Sequence, residues 1–503
     1  MTATASVHHV QHRSVSIIGL LMLMSVVLFF GSLFWMFSGQ HMFLVQIPAV
    51  LLSFGLLLVT GMLYVINPPK QMGAVLLTLI FFTLDMTVRQ GLVQGGGADA
   101  QSVVKGLIGV FLFGFGLFNG LRKVFAHPIL GLFFIYAGYA CLSATYSSTV
   151  LLGLGSGLTL LGIVFVAAKA STEDREGLQR LWMYIYIATV VAAVVSLAML
   201  AFIPLYARDL ADPGSFRLRG ITGSANSLGP MVAVGFLISR MMARWAPTRG
   251  KRWMHYFFGA ALAAALILTN SRASLLGLSG ALLLSFFIVN QMSIIGVLLI
   301  LMAGTMALAV ALQPDLLKSV MGLVADLFSR SGSVQELTTL TGRSSIWEAC
   351  WGLIKEKPLF GYGLGSVRVE IPKVFYDQYG NSAATAHNFV LESLISVGLV
   401  GTVPLVMLLV AVTAGLWRYV GKGVKDHGLD AHDSGMALCA FQVMTMFWIQ
   451  SLVERVFSGT ASPSAVCLGL CVATSVYLLR NKPRALRHNK SGLYTAHSPL
   501  RSA

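Results

Sequence analysis

The chain has 503 residues, of which 56% are hydrophobic and only 11% are charged. Soluble domains usually carry about 25% charged residues, so the composition excludes a soluble protein and indicates a polytopic membrane protein. The formal net charge of +16 does not indicate nucleic-acid binding, because the basic residues of membrane proteins collect in their cytoplasmic loops. None of the five cysteines forms a CxxC pair, so we expect neither a disulfide framework nor a zinc site.

Apolar segments long enough to cross a bilayer recur from residue 16 to residue 479. They predict an all-α polytopic bundle of about 12–14 spanning helices of some 20 residues each. The fourteen candidate spans are 16–37, 43–66, 72–88, 104–120, 128–145, 149–169, 181–203, 227–243, 254–269, 273–290, 293–312, 395–417, 435–453 and 462–479.

The order of the spans divides the chain into four parts. We predict a transmembrane bundle over 1–312, a loop with amphipathic helices over 313–386, the last spans within 387–482, and a disordered cytoplasmic tail over 483–503. With an even number of spans, most of the 35 Lys and Arg residues fall on the side of the two termini. The positive-inside rule then places both termini in the cytoplasm and the 313–386 loop on the outer face.

Arginines on the outer face are exceptions to this rule. They occur in three short stretches, FRLRGITGSANSLGP (216–230), TNSRAS (269–274) and TGRSSIW (341–347). The first two stretches precede spans 8 and 10, and the third lies in the loop that leads to span 12. These even-numbered spans all begin at the outer face, and a helix N-terminus has free N–H groups and a partial positive charge. Together with arginine, such N-termini can bind phosphate.

The candidate phosphate-binding residues are Arg217, Arg219, Arg272 and Arg343. Of the first two we favour Arg219, because it stands beside the turn glycine. The predicted N-caps of the three spans are Asn226, Asn270 or Ser271, and Thr385. The alternative is that the arginines only reach lipid headgroups, which is the interpretation we prefer for Arg208 and Arg368.

A histidine and a carboxylate stand at the start of span 12, in ATAHNFVLESLISVGLVG. His387 can act as a base or as a cation, because histidine titrates near neutral pH. On a helix starting at Ala386, Asn388, Glu392 and Ser396 form one polar stripe, and a carboxylate within a span indicates function. The alternative is that His387 caps the interface and a neighbouring helix satisfies Glu392. The spacing disfavours direct contact between His387 and Glu392.

Further polar residues near the outer span ends are expected to be structural. They are Asp85, which has the i, i+4 spacing to pair with Arg89, and the adjacent Glu454 and Arg455. Several common catalytic motifs are absent from the sequence. There is no GxxxxGK[ST] nucleotide loop, no HExxH motif and no His/Cys cluster, and no G-x-S-x-G elbow. We therefore expect no nucleotide cofactor and no metal.

Several short motifs between residues 341 and 401 follow a characteristic order. They are Thr341-Gly342-Arg343, Trp347, Pro358 with Gly361 and Gly363, His387-Asn388, and Gly398 with Gly401. This order resembles the core signature of the O-antigen ligase and polymerase superfamily. RLRGITGSANSLGP and TNSRAS resemble the two earlier arginine motifs of that family, so the resemblance covers residues 210–405.

The resemblance implies a multi-pass glycosyltransferase of the bacterial inner membrane, with a bundle similar to C-type glycosyltransferases. Such proteins transfer a glycan from undecaprenyl pyrophosphate at the periplasmic face, without a metal or another cofactor. The acceptor is another glycan in surface and exopolysaccharide polymerases, which we slightly favour, or lipid A–core in the ligases of lipopolysaccharide biosynthesis. Membrane lipid and the polysaccharide-export machinery are further candidate partners.

In this interpretation the arginines hold the pyrophosphate, and His387 is the catalytic residue. His387 either takes the proton of the attacking hydroxyl or donates a hydrogen bond to the phosphate; both roles remain open. The supporting residues are Asn226, Trp347, Asn388 and Glu392. Two other classes also remain, a transporter of an anion or another solute and a non-catalytic partner of polysaccharide export.

Overall fold

The computed structural model describes residues 76–81, 100–209, 216–290, 343–376, 383–427, 432–457 and 461–481. Over these ranges the chain is helical and contains no β-strand, which confirms the predicted all-α class. The predicted spans 16–37, 43–66 and 293–312 and the tail 483–503 lie outside the described residues.

Residues 76–81 are helical, and the longer helices are numbered here in chain order. They are α1 (Ala100–Val124), α2 (Pro128–Ser143), α3 (Val150–Ala170), α4 (Arg175–Phe202), α5 (Ala225–Trp245), α6 (Arg249–Thr269), α7 (Arg272–Asn290), α8 (Arg343–Glu356), α9 (Val367–Val374), α10 (Phe389–His427), α11 (His432–Ser451) and α12 (Pro463–Arg480). A 3-10 turn (Ala144–Tyr146) follows α2, and a one-turn helix (Pro204–Ala207) follows α4.

Seven helices in the described residues are long and apolar enough to cross a membrane. They are Lys105–Val124, Pro128–Tyr146, Val150–Ala170, Arg175–Phe202, Arg272–Asn290, Phe389–Gly421 and Pro463–Arg480. They coincide with predicted spans 4, 5, 6, 7, 10, 12 and 14. The helices α5, α6 and α11 are outside this apolar set, although their 21, 21 and 20 residues match predicted spans 8, 9 and 13. The fold is an all-α polytopic bundle.

The transmembrane helices approach each other closely through small residues. Where α1 crosses α3, a Cβ on Gly120 would lie 2.1 Å from the Phe165 carbonyl oxygen, and one on Gly162 would lie 2.8 Å from the Phe113 nitrogen. Membrane helices pack in this way because lipid gives no hydrophobic drive for association, so backbones must approach each other for van der Waals contact.

Contacts between helix termini define the two ends of the bundle. At one end, Arg175 at the start of α4 donates from Nε to Asp433 at the start of α11 (2.8 Å), and the ring of Trp245 at the end of α5 contacts that of His432 (5.0 Å between centroids). Both α5 and α11 are about 30 Å long at 1.5 Å per residue. The start of α5 and the end of α11 therefore lie at the opposite end, which we call the site end.

The helix α10 is interrupted at Gly398, whose φ of 60° and ψ of −167° are not helical. The turn 358–363 occupies the interruption and exchanges backbone hydrogen bonds with both halves of the helix. These are Tyr362 N–H to Ile395 oxygen (2.7 Å), Gly363 N–H to Ser396 oxygen (2.8 Å), Leu399 N–H to Pro358 oxygen (2.9 Å) and Val400 N–H to Leu359 oxygen (3.1 Å). The turn thus satisfies backbone groups that the broken helix leaves unpaired, and it fixes the first two turns of α10.

Candidate functional site

Arg217 is the first charged residue of the candidate site. It lies in the segment between α4 and α5 and is 7% exposed. Its Nη2 donates to Oδ1 of Asn226 on the first turn of α5 (2.5 Å), and its Nε donates to the carbonyl oxygen of Thr269 at the end of α6 (3.2 Å). The planar guanidinium thereby joins the beginning of α5 to the α6–α7 connection.

Glu454, in the segment after α11, lies at the centre of the site. Its Oε1 accepts hydrogen bonds from Arg343 Nη2 (3.0 Å) and from Asn226 Nδ2 (3.2 Å). Its Oε2 contacts His387 Nδ1 at 3.4 Å. Arg343 also donates to the carbonyl oxygen of Val453. One carboxylate therefore joins the starts of α5 and α8 to His387, two residues before α10.

The backbone before α10 turns sharply to present His387. Its φ of 49° is in the left-handed region, which non-glycine residues seldom adopt. Asn388 caps α10, because its Oδ1 accepts from the N–H groups of Val390 (2.9 Å) and Leu391 (3.2 Å). The amide of Asn388 also donates to the Leu452 carbonyl oxygen (3.1 Å). The start of α10 is thus held directly against the segment that carries Glu454.

Two predicted supporting residues hold the peptide groups of Ala386, immediately before the histidine. The buried carboxylate of Glu392 accepts the Ala386 N–H at Oε2 (2.8 Å), and its Oε1 lies 3.7 Å from Arg455 Nη1. The indole of Trp347 on α8 donates to the Ala386 carbonyl oxygen (3.0 Å). Both backbone polar groups of Ala386 are therefore hydrogen-bonded, and these bonds hold the backbone in place immediately before His387.

The charge of Glu454 follows from these contacts. Burial raises the pKa of its carboxyl, but the hydrogen bonds and charges of His387 and Arg343 outweigh that effect, and the net result is a lowered pKa. Glu454 therefore keeps its negative charge at neutral pH. Three arginines, Arg217, Arg343 and Arg455, lie beside the polar and acidic groups of this cluster, and guanidinium groups are suited to bind an anion.

The predicted arginines are distributed unequally in the structure. Arg217 and Arg343 meet at the Asn226–Glu454 pair, whereas half-buried Arg219, which we favoured from the sequence, donates from Nε to the Tyr206 carbonyl oxygen (3.1 Å) in a solvent-exposed hydrogen bond. Residues two apart point to the same side of a regular extended segment, so the different partners of Arg217 and Arg219 indicate a local departure from that geometry; Gly220, next to Arg219, has a φ of 54°.

Arg272 is the first residue of α7. The α7 start lies against α5, since a Cβ on Gly229 would be 2.8 Å from the Ser271 Cβ and 2.7 Å from the Ser274 oxygen. The described geometry therefore places Arg272 at the site end without showing it in contact with Glu454.

Two of the predicted helix caps are wrong. Ser224 caps α5, because its extended backbone lets its oxygen accept the Ser227 N–H (3.2 Å); Asn226 is already within the helix. Asn388, and not Thr385, caps α10, because the left-handed backbone of His387 prevents a helix from starting at Ala386.

The remaining cap and the polar stripe also need revision. Asn270 ends α6 in a left-handed conformation with φ 47°, so Ser271, the other candidate, directly precedes α7. The stripe of Asn388, Glu392 and Ser396 does not act as a unit. Asn388 is a cap, Glu392 bonds the Ala386 N–H, and within the described residues the Ser396 hydroxyl is buried without a hydrogen-bond partner.

Glu454 is the residue whose place in the site the sequence did not reveal. We expected Glu454 and the adjacent Arg455 to be structural polar residues near the outer end of a span. The one available signal was a carboxylate at the outer end of an apolar segment, on the face where three arginine motifs were predicted. Opposite charges collected on one face of a membrane protein are expected to pair, because isolated charges are costly there.

Comparison with known proteins identifies the central part of the chain. The model of the O-Antigen ligase family matches residues 257–406, a range that includes Arg272, Arg343, Trp347, His387 and Glu392. Arg217, Asn226 and Glu454 lie outside the matched range. No curated protein matches the chain.

The match supports ligase- or polymerase-type activity in general, with a lipid-linked glycan and an acceptor as substrates. The seven apolar helices agree with the multi-pass membrane location of such a protein. The resemblance seen in the sequence motifs is therefore confirmed. Residues 257–406 match the O-antigen ligase family, so this part of the chain is an O-antigen ligase domain.

Proposed function

We propose that this chain transfers a glycan from undecaprenyl pyrophosphate to a sugar hydroxyl at the periplasmic face of the bacterial inner membrane. The product is an extended surface or secreted polysaccharide if the acceptor is another glycan, and lipopolysaccharide if it is lipid A–core. The observation that carries the proposal is the contact of His387 with the Arg343–Glu454 pair. It combines a candidate base with arginine side chains at one end of a membrane bundle.

In the proposed reaction the acceptor hydroxyl oxygen attacks C1 of the donor sugar. The new C1–O bond forms as the bond from C1 to the pyrophosphate oxygen breaks, and the electron pair stays on the lipid pyrophosphate. His387 takes the hydroxyl proton, which a general base must do as the oxygen becomes bonded to carbon. The pyrophosphate is its own leaving group, so the reaction uses no nucleotide.

The arginines would stabilise the charge that grows on the departing pyrophosphate. Arg343 and Arg217 are the preferred candidates, because both guanidinium groups lie at the Asn226–Glu454 pair that contacts His387. Arg272 is retained as a third candidate because it begins α7 at the site end. Arg219 is the weakest of the four, because its side chain donates to the Tyr206 carbonyl oxygen and not to the Asn226–Glu454 pair.

The decisive experiment supplies the purified full-length chain with an undecaprenyl-pyrophosphate oligosaccharide, in EDTA and without nucleotide. Lengthened lipid-linked glycan would identify a polymerase, and glycan on lipid A–core would identify a ligase. Absence of transfer to either acceptor, from protein that remains folded, would contradict the proposal.

Two arginine–carboxylate pairs at opposite ends of the bundle provide a matched control. Arg343→Ala removes the arginine from Glu454 and is expected to abolish transfer. Arg175→Ala removes the partner of Asp433 at the far end and is expected to retain it. Equal activity of the two variants would show that Arg343 is not required for transfer and would contradict a role of the arginine cluster in the reaction.

A further inference from the structure

We propose that Glu454 is a positioning residue that holds His387 with its proton on Nδ1, so that Nε2 is the proton-accepting nitrogen. This inference rests on the proposed function for its catalytic meaning. Neutral imidazole has one donor and one acceptor nitrogen, and the group bonded to one nitrogen determines the role of the other.

The contacts of Glu454 assign these roles. An ionised carboxylate only accepts hydrogen bonds, so the contact between Oε2 and His387 Nδ1 requires a hydrogen on Nδ1. The free electron pair of the neutral ring then lies on Nε2. His387 has a side chain that is 33% exposed, so the ring remains accessible from the site end.

The carboxylate itself is oriented by a chain of contacts that begins at Arg217. Arg217 can only donate, so its contact with Asn226 fixes Oδ1 as the acceptor and turns Nδ2 towards Glu454. Nδ2 and Arg343 Nη2 both donate to Oε1. Consequently Oε2 is the oxygen left for the histidine, and the order Arg217–Asn226–Glu454–His387 has one consistent set of donors and acceptors.

The substitution Glu454→Gln reverses this pattern with little change in shape. The two donors facing Oε1 would hold the new amide oxygen in that place, so the NH2 group would face His387 Nδ1. Nδ1 must then accept, and the ring proton moves to Nε2, where it blocks proton uptake. General-base catalysis contributes about 10²-fold to 10⁴-fold, so we expect kcat to fall by about 10²-fold or more with little change in KM.

Nitrogen-15 NMR of histidine-labelled full-length protein at alkaline pH gives a readout that is independent of activity. His387→Gln identifies the His387 signals by their loss. We expect wild-type His387 with the proton on Nδ1, Glu454→Gln with the proton on Nε2, and Glu454→Asp with the wild-type pattern. Because Asp keeps the charge, Glu454→Asp should also recover part of the lost kcat.

Several outcomes would overturn the inference. A wild-type spectrum with the proton on Nε2 would do so without any variant, even if Glu454→Gln failed to fold. Wild-type kcat in a folded Glu454→Gln protein, or equal loss in the Gln and Asp variants with an unchanged spectrum, would reduce Glu454 to a packing role. If the wild-type protein transfers no glycan, the proposed function fails, but the spectra still test the position of the proton.

Discussion

Two adjacent residues after α11 bond to two different parts of the site. Glu454 accepts hydrogen bonds from Arg343 and Asn226 and contacts His387, whereas Arg455 lies beside the carboxylate of Glu392. Each side chain therefore compensates the charge of a partner from a distant segment. At the scale of residues, the site is a set of long-range pairs and not a local motif.

The two arginines of the 216–220 segment give the first prediction. Arg217→Lys cannot reproduce the planar fork that joins Asn226 and Thr269. Loss of a charged hydrogen bond costs about 1.5–3 kcal/mol, so we expect transfer to fall by about 10-fold to 100-fold. The measurement is the rate of transfer from the lipid-pyrophosphate donor.

Arg219→Lys is the matched control for Arg217→Lys. Its single contact with the Tyr206 oxygen is exposed, and a lysine can also donate there, so activity should stay within about 2-fold of wild type. The opposite result, with Arg219→Lys inactive and Arg217→Lys active, would favour Arg219 as the phosphate-binding residue, as we preferred from the sequence alone.

At the scale of elements, the site depends on the broken helix α10. The interruption at Gly398 lets the 358–363 turn bond to both halves of the helix, and the first half then carries Glu392 back towards Ala386. Glycine is required on both sides of this contact, because neither position has room for a Cβ atom. A Cβ on Gly398 would lie 2.2 Å from the Leu359 oxygen, and one on Gly361 would lie 2.6 Å from the Ile395 oxygen.

Gly398→Ala therefore tests the role of the turn. The new methyl group would clash with backbone atoms at a positive φ, a strain of about 1–3 kcal/mol, and the 358–363 turn would have to move away. We expect a lower midpoint of thermal unfolding in detergent and reduced transfer, because the start of α10 loses its support.

The control for this substitution lies on the same helix. Gly421 has an ordinary helical backbone, and a Cβ there would meet nothing within 4 Å. Gly421→Ala should be neutral or stabilising by up to about 1 kcal/mol, since alanine is the better helix former. Equal destabilisation by both substitutions would show that the position of Gly398 has no special importance.

At the scale of the whole molecule, the bundle has two chemically distinct ends. The site end carries Arg217, Arg343, His387 and Glu454, and the other end carries the Arg175–Asp433 pair and the basic 244–253 connection. Basic connections stay in the cytoplasm, so the orientation of the bundle determines which compartment supplies the substrates.

Cysteine labelling of intact cells tests this orientation. Lys355→Cys, on the exposed part of α8, should react with a membrane-impermeant maleimide after removal of the outer membrane barrier. Lys251→Cys, near the start of α6, should react only after lysis. Both positions are exposed, and the native cysteines give a low background because four are buried and Cys141 is half-buried. The reverse pattern would place the site in the cytoplasm.

Much of this architecture could be predicted from the sequence. Spans such as 128–145 and 149–169 nearly coincide with α2 and α3, because a bilayer requires continuous apolar segments of a fixed length. Arg217, Arg343 and His387 could be selected because charged residues at an outer membrane face are few. Each of these inferences depends on the free-energy cost of placing a polar group in lipid. That cost applies to each residue separately, so it can be estimated from the sequence alone.

The sequence by itself determined the membrane class, the helical fold and the residue types that the site would use. Only the tertiary structure decided that Arg217 rather than Arg219 joins Asn226, that α10 begins at Phe389, and that Glu454 lies between Arg343 and His387. The physical reason is that hydropathy acts locally along the chain. A hydrogen-bonded pair such as Arg343–Glu454 joins residues 111 positions apart, and its existence depends on how the helices between them pack.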